Sequence, residues 1–429
     1  MHLSKQAIQA RTAARRAADV DLAVRAADGA ALANAAVAVR QVRQKFLFGC
    51  DAFNLLARFD PRWYAAKPHY SASWGSAADI LPAYQERLLG LLNYATLPFY
   101  WGHYEPVREQ PACEALRAMA QWLAGRGVRL KGHPLCWHED TPGWLENLPP
   151  EEVGPQQWAR IGREVAAFRG LIDVWDVVNE SWIMPDWPTR STPIQRLARH
   201  IGRTELIRRA FAAAREAGPH ATLILNDFER TEKNEAIIAE CLAAGIPVDV
   251  IGIQSHMHDG YWGAQRLWDI CERFGRFGLP IHFTEVSLVS GPEDPRMRWS
   301  GPAYSDWATT PEGEARQAEQ IEEMYRLLFS HPAVEAITYW DLSDAYTFQG
   351  APVGLVRKDM SPKPAYEALR RLVREEWWTK DVALRTDAGG RVRFRGFLGQ
   401  YVAAVAGREM RFAVDTPGQV AVNLAVANG

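Results

Sequence analysis

Between residues 46 and 376 the chain repeats one unit eight times: a short, continuously apolar, β-rich run followed by a longer stretch of helical periodicity. The runs are Phe46–Cys50, Leu92–Thr96, Val128–His133, Ile172–Val178, Thr222–Asn226, Val248–Gln254, Pro280–Thr284 and Ala336–Trp340. Intervening segments such as CEALRAMAQWLAG, RTELIRRAFAAAREAG and NEAIIAECLAAG space their apolar residues by three and four and stop at Gly before the next run. A strand that is apolar on both faces must be covered on both, as in a parallel sheet wrapped by helices. Eight such units predict an α/β fold, a (β/α)8 TIM barrel. A doubly wound open sheet is the competing topology, but no G-x-G-x-x-G follows an early strand.

The flanks follow a different rule. Residues 20–45 and 381–429 alternate apolar and polar side chains between DG, GG and PG turns, the pattern of antiparallel strands. Neither segment has enough strands to stand alone. The two ends are therefore expected to meet in one small accessory β-sandwich beside a barrel spanning 46–376. Residues 1–19, rich in Ala and Arg, read as a solvated N-terminal helix. Two loops, 57–82 after the first run and 288–312 after the seventh, mix Pro and Gly with Trp and are long enough to shape a cleft or lid.

Composition narrows the function classes. The 429 residues carry 49 Lys and Arg against 51 Asp and Glu, a net charge of −2, without the basic footprint of a nucleic-acid partner. No run approaches the roughly 18–20 apolar residues of a membrane span. The opening MHLSKQAIQARTAARRAADVD is cut by Arg and Asp and lacks the apolar middle of a secretory signal. Location stays open between export with a leader removed and the cytoplasm. Cys50, Cys113, Cys136, Cys241 and Cys271 are widely spaced with no CxxC, so they read as free thiols rather than a disulfide framework or zinc ribbon. Seventeen Trp, with 13 Tyr and 16 Phe, supply flat apolar faces suited to sugar rings, although a large core would also use them.

Polar residues close most of the eight runs: Asp51 and Asn54, then His133, Trp137 and His138, then Asn179 and Glu180, then Asn226 and Asp227. Gln254, His256, His258, Glu285, Trp340, Asp341 and Asp344 complete the set. In a barrel these ends all open on one face, where barrel enzymes carry their sites. Glu180 ends WDVVNE, and Glu285 ends PIHFTE three units later, which sets the fourth and seventh strands across the mouth from each other. Glycoside hydrolysis needs such a pair: an acid protonates the leaving oxygen while a second carboxylate attacks the anomeric carbon or activates water. A lone Glu would more simply cap a helix or bridge to Arg; two of them ending apolar runs among other pocket groups favour catalysis. Four histidines (His133, His138, His256, His258) raise the alternative of a metal site. They come from different strands, H-E-x-x-H is absent, and a two-carboxylate mechanism needs no metal. Neither a metal nor a cofactor is expected.

Taken together and in order, GHPLCWH (132–138), WDVVNE (175–180), LILND (223–227), IGIQSHMH (251–258), PIHFTE (280–285), ITYWDLSDAYTF (337–348) and PKPAYEAL (362–369) resemble glycoside hydrolase family 10, the retaining β-xylanase-like barrels. The resemblance covers roughly residues 46–375. It implies an endo-β-1,4-xylanase-like hydrolase acting on a β-linked, xylan-like polysaccharide or oligosaccharide. Carried over by position, it implies Glu180 as acid/base, Glu285 as nucleophile, Asn179 on the sugar 2-hydroxyl and His256 on the nucleophile. His133 and Gln254 would line the subsite of the reacting sugar, and Trp137 and Trp340, which alone would read as core, would wall it. A retaining mechanism would set the two carboxyl groups about 5–5.5 Å apart, an inverting one about 6.5–9.5 Å. The alternative is a sugar-binding barrel without catalysis, against which the intact pair speaks.

The chain departs from the family pattern where substrates are recognised. The stretch TLPFYWGHYEP (96–106) is two residues shorter than usual and lacks a Glu-Asn pair and a Lys, although Trp101 and Glu105-Pro106 still fit. Ser287 stands where Asp is usual, Phe348 where Trp is usual, and Asp341 where Gly is common. A site without its hydrogen-bonding groups loses discrimination for the substrate they matched. An altered or decorated substrate is expected, in a cleft reshaped by Phe99, Tyr100, Trp101, His103 and the two long loops. Which sugar, internal or terminal cleavage, and oligomeric state are not legible.

Overall fold

Helix α1 (Lys5–Arg16) opens the chain, with the Ser4 hydroxyl accepting from the Ala7 N–H as its N-cap. The computed structural model describes residues 3–60, 79–188, 191–293 and 307–426. Most of both long loops read from the sequence, 61–78 and 294–306, lies outside the described residues. Contacts divide the chain into two units. One comprises Met1–Leu47, Ile321–Pro332 and Glu367–Gly429, the other Phe48–Gln320 and Ala333–Tyr366.

The helix is shorter than the 1–19 expected. Strand β1 (Ala17–Ala26) begins at Ala17, which pairs with Phe397 and is buried, as is Ala18. Alanine favours a helix by only tenths of a kcal/mol over most residues, so pairing and burial decide its state here. Strand β2 (Ala36–Gln44) follows.

Eight parallel strands then close into a barrel: β3 (Leu47–Asp51), β4 (Tyr94–Pro98), β5 (Arg129–His133), β6 (Val174–Asn179), β7 (Thr222–Asp227), β8 (Val250–Met257), β9 (Ile281–Leu288) and β10 (Val334–Tyr339), with β10 beside both β9 and β3. They are joined through α2 (Leu81–Leu91), the single turn α3 (Trp101–Tyr104), α4 (Cys113–Ala124), α5 (Pro150–Ala167), α6 (Pro193–Ile201), α7 (Arg203–Ala217), α8 (Glu232–Ala243), α9 (Gly263–Gly275) and α10 (Pro311–Ser330). Helix α11 (Pro364–Arg371) follows the last strand. Every residue of β4, β6, β8 and β9 is buried, which is why these runs read as continuously apolar. Strands β8 and β9 run three and four residues past the apolar stretches read from the sequence. Past those stretches His256 and Glu285 meet each other inside the mouth, and the two strands stay paired as far as Met257 and Leu288. Glycine at 132 is required by packing: a Cβ there would fall inside the Trp175 ring. Below the mouth, Lys131 on β5 and Asp176 on β6 form a fully buried ion pair at 2.7 Å.

The C-terminal strands β11 (Val382–Arg385), β12 (Arg391–Phe397), β13 (Gly399–Val405), β14 (Arg408–Val414) and β15 (Gly418–Val426) complete the accessory sandwich. One layer has the order β12-β1-β15 and the other β11-β2-β13-β14. Val20, Leu22, Val24, Val37, Val39, Tyr401, Ala403, Val405 and Val414 fill the space between them. One pairing departs from the antiparallel expectation: β1 and β15 are parallel, in register from Ala18↔Gly418 to Ala26↔Val426. Strands from the two chain ends need no tight turn between them, so nothing imposes the antiparallel direction. No described helix is long and apolar enough to cross a membrane.

Candidate active site

Strand β6 ends at Asn179, and Glu180 follows it with φ of +58°, a left-handed backbone that is strained for a non-glycine residue and that collects at functional sites. The strain is held in place by neighbours. The Glu180 N–H donates to the Asn226 carbonyl at 2.8 Å. Asp227 Oδ2 accepts from the Trp182 N–H (2.9 Å) and the Ser181 hydroxyl (3.2 Å), tying the loop beyond Glu180 to the end of β7.

The Glu180 carboxyl lies in a cage of donors. Trp137 Nε1 donates to Oε2 at 2.8 Å, while Gln254 Nε2 (3.1 Å) and Asn179 Nδ2 (3.2 Å) donate to Oε1. Gln254 Nε2 also reaches Asn179 Oδ1 at 3.0 Å. That same oxygen accepts from Asn226 Nδ2 at 2.7 Å, and Asn226 Nδ2 donates in turn to Glu285 Oε1 at 2.8 Å. The two carboxyl groups are thus joined by one continuous chain of side-chain amides from β6, β7 and β8. His256 Nε2 meets Glu285 Oε2 at 3.1 Å, and His133 Nε2 lies 3.9 Å from Oε1.

The environments of the two glutamates push their acidities apart. Burial lifts the Glu180 carboxyl to about 8; the Trp137 and Gln254 hydrogen bonds pull it down, and the Glu285 charge pushes it up. For Glu285, burial again opposes the charge, but His133, the bond from His256 and Lys131 outweigh it and hold the carboxyl below its ordinary value. Behind His133, Asp176 accepts from Nδ1 at 2.7 Å. Burial opposes the Asp176 charge too, yet Lys131 and His133 keep it below the usual carboxylate range. At neutral pH the site therefore presents a protonated carboxyl facing an ionised one.

Aromatic rings stand around this pair. Trp340 meets His133, His256 and Phe53 edge-on, at centroid distances of 5.4, 6.0 and 5.3 Å. Tyr100 does the same with His133 (5.4 Å) and Trp137 (5.5 Å). Trp340 and Tyr100 are buried, whereas Trp137 is partly exposed. All eight residues proposed from the sequence come together here. His138 and Asp344 do not bond either carboxyl group: the His138 ring packs edge-on against Trp187 and Trp137, and Asp344 pairs with Lys363 at 2.6 Å. Among the described residues no three His, Cys, Asp or Glu side chains gather as a metal-ligating group. All five cysteines are free thiols.

The family model for glycosyl hydrolase family 10 matches residues 99–372, from the end of β4 through α11. The chain belongs to glycosyl hydrolase family 10. Curated relatives of this glycoside hydrolase include endo-1,4-beta-xylanase B of Thermotoga neapolitana, 29% identical over 290 residues that cover 64% of this chain and 78% of the relative. The endo-1,4-beta-xylanase of Geobacillus stearothermophilus is 28% identical over 276 residues, 59% of this chain and 79% of the relative. Among solved structures, xylanase 10B from Thermotoga maritima superposes with a TM-score of 0.59 at 25% identity, covering 77% of this chain and 96% of that one.

Sequence reading placed Asn226 among the pocket residues of this family 10 hydrolase but gave it no role. In the structure it is the joint between the two carboxyl groups. Its signal was present, since LILND ends in polar residues after an apolar run, but an amide at a strand end does not announce which neighbours it reaches. Thr284 was read only as the end of the seventh run. Its hydroxyl donates to Asn226 Oδ1 at 2.6 Å and so turns the Asn226 amide nitrogen toward Glu285.

Proposed function

We propose that the chain is a retaining, endo-β-1,4-xylanase-like hydrolase of β-linked, xylan-like substrates in which Glu180 is the acid/base and Glu285 the nucleophile. The observation that supports the assignment most is the opposed acidity of two hydrogen-bonded carboxyl groups, one raised to about 8 and the other lowered. In the first step Glu285 attacks the anomeric carbon, the glycosidic C–O bond breaks, and the Glu180 proton passes to the leaving oxygen. In the second, the Glu180 carboxylate takes a proton from water, the water oxygen bonds to the anomeric carbon, and the Glu285 ester bond breaks. Asn179, held from behind by Asn226 and Gln254, is set to bond the 2-hydroxyl of the reacting sugar. His256 holds Glu285 oriented and ionised. His133 and Gln254 line that sugar's position, with Trp137 and Trp340 as walls. The names of the curated relatives, endo-1,4-beta-xylanases from two organisms, agree with this substrate class.

The test is hydrolysis of xylan and of an activated aryl β-xyloside by the wild type, Glu180→Ala and Glu285→Ala. Glu285→Ala is expected to lose both activities. Glu180→Ala should lose xylan hydrolysis but keep the first step on the activated leaving group, with azide restoring turnover as a β-azide product. Full activity of Glu285→Ala would overturn the reading.

A further inference from the structure

Three of the departures noted in the sequence, Ser287, Phe348 and Asp341, converge on one feature behind the candidate nucleophile. His256 Nδ1 lies 2.9 Å from Ser287 Oγ, on the side of the ring away from Glu285. Ser287 Oγ also lies 3.1 Å from His258 Nε2, and His258 Nδ1 lies 3.0 Å from Gln349 Oε1. All four side chains are buried. Phe348 covers both imidazoles, at centroid distances of 5.0 and 5.7 Å. Asp341 Oδ2 accepts from the Phe348 N–H at 2.7 Å and so fixes the turn that presents Gln349, whose φ is +58°.

We propose that Ser287, His258 and Gln349 are positioning residues, a relay of uncharged groups that orders the protons of His256 so that Nε2–H points at Glu285. The argument is donor and acceptor counting. An amide oxygen only accepts, so His258 carries its proton on Nδ1. Burial, with the neighbouring His256, lowers His258 to about 3 and keeps it neutral, so its Nε2 accepts. The one Ser287 proton is then given to His258, and Ser287 Oγ accepts from His256 Nδ1–H. His256 Nε2 faces an ionised carboxylate and must donate as well. His256 is thus doubly protonated and balanced by Glu285 across the ring, with no second anion behind it. The groups facing this pair are His258 on β8 itself, His133 on β5 with Lys131 beneath it, Glu180 after β6 and Asp51 on β3.

The proposal rests on Glu285 being the nucleophile, but its first readout does not. In full-length enzyme labelled with 15N-histidine, the imidazole nitrogens at pH 6.5 should show His256 doubly protonated and His258 as the neutral Nδ1–H tautomer, assigned through His256→Asn and His258→Asn. Ser287→Ala should remove the doubly protonated signature of His256 and lower kcat about tenfold with KM within about twofold, and Ser287→Thr should restore both. Ser287→Asp, whose carboxylate only accepts, should put a proton on His258 Nε2 while Nδ1–H stays on the Gln349 amide oxygen, making His258 doubly protonated. His258 found as Nε2–H in the wild type, or with Nε2 unprotonated in Ser287→Asp, would overturn the relay, as would a Ser287→Ala enzyme unchanged in both signature and kcat. Retained activity in Glu285→Ala would instead defeat the nucleophile assignment while leaving the tautomer result standing.

Discussion

Asn226 Nδ2 donates to Glu285 Oε1 across 2.8 Å while the Thr284 hydroxyl holds the Asn226 carbonyl from behind. One amide therefore orients the candidate nucleophile and, through Asn179, the groups around the candidate acid. Asn226→Ala is expected to lower kcat/KM on the order of 100-fold, chiefly through kcat, because a preorganised donor is lost from a buried site. Asn226→Asp sets a carboxylate against Glu285 and should cost more activity, with the acid limb of the pH profile moved upward. Steady-state kinetics on an aryl β-xyloside between pH 3 and pH 10 measures both.

Glu180 must begin protonated and Glu285 ionised, so activity should rise with pH through a value below the ordinary glutamate range and fall through about 8. Trp137→Phe removes the donor to Glu180 Oε2, which stabilises the ionised form. The basic limb of kcat/KM should then move to higher pH. A limb that stays in place would show that Trp137 does not hold the carboxylate.

The raised acidity constant of Glu180 also has a stability consequence. Unfolded glutamate titrates near ~4.3, and folded Glu180 near about 8. Between those values the folded state holds a proton that the unfolded chain has released, so stability falls as pH rises across the window and the loss is complete above about 8. Glu180→Gln keeps the shape and removes the titration. It should match the wild type in thermal unfolding near pH 4 and exceed it at pH 8, by on the order of 1–3 kcal/mol.

Arg160 on α5 is buried, and its guanidinium donates to the carbonyls of Phe99, Pro134 and Leu135, where β4 and β5 end, while lying 5.3 Å from the Trp101 ring. Arg160→Met leaves those carbonyls without their donor and should destabilise the protein by about 3–5 kcal/mol in urea unfolding. It should also raise KM, because the segment carrying Tyr100 and Trp101 loses its anchor.

The eight barrel strands were legible because a run buried on both faces needs no partner to reveal it; Tyr94–Pro98 and Val174–Asn179 are buried at every position and mostly apolar, with Thr96, Asp176 and Asn179 the polar residues among them. The direction of β15 against β1 was not legible, since period-two alternation is the same in parallel and antiparallel pairs. Glu180 and Glu285 stood out because each ends an apolar run. The neighbours that Asn226, Thr284 and Ser287 reach were not legible, because an uncharged polar residue at a strand end says nothing about which of seven other strands will face it.

Residue order along the chain, by itself, determined that eight covered strands would each end in polar side chains on one face, and that two of those would be glutamates. Resemblance to a family implied which glutamate is the acid, but residue order gave no physical reason for it, because an isolated carboxyl group has one acidity wherever it occurs in a sequence. Only the closed barrel supplied that reason. It buried both carboxyl groups, then gave Glu285 two histidines and the field of Lys131, while Glu180 received neutral donors and the repulsion of its neighbour. Acidity is a property of surroundings, and those surroundings are assembled from strands as far apart in the chain as those of His133 and Glu285.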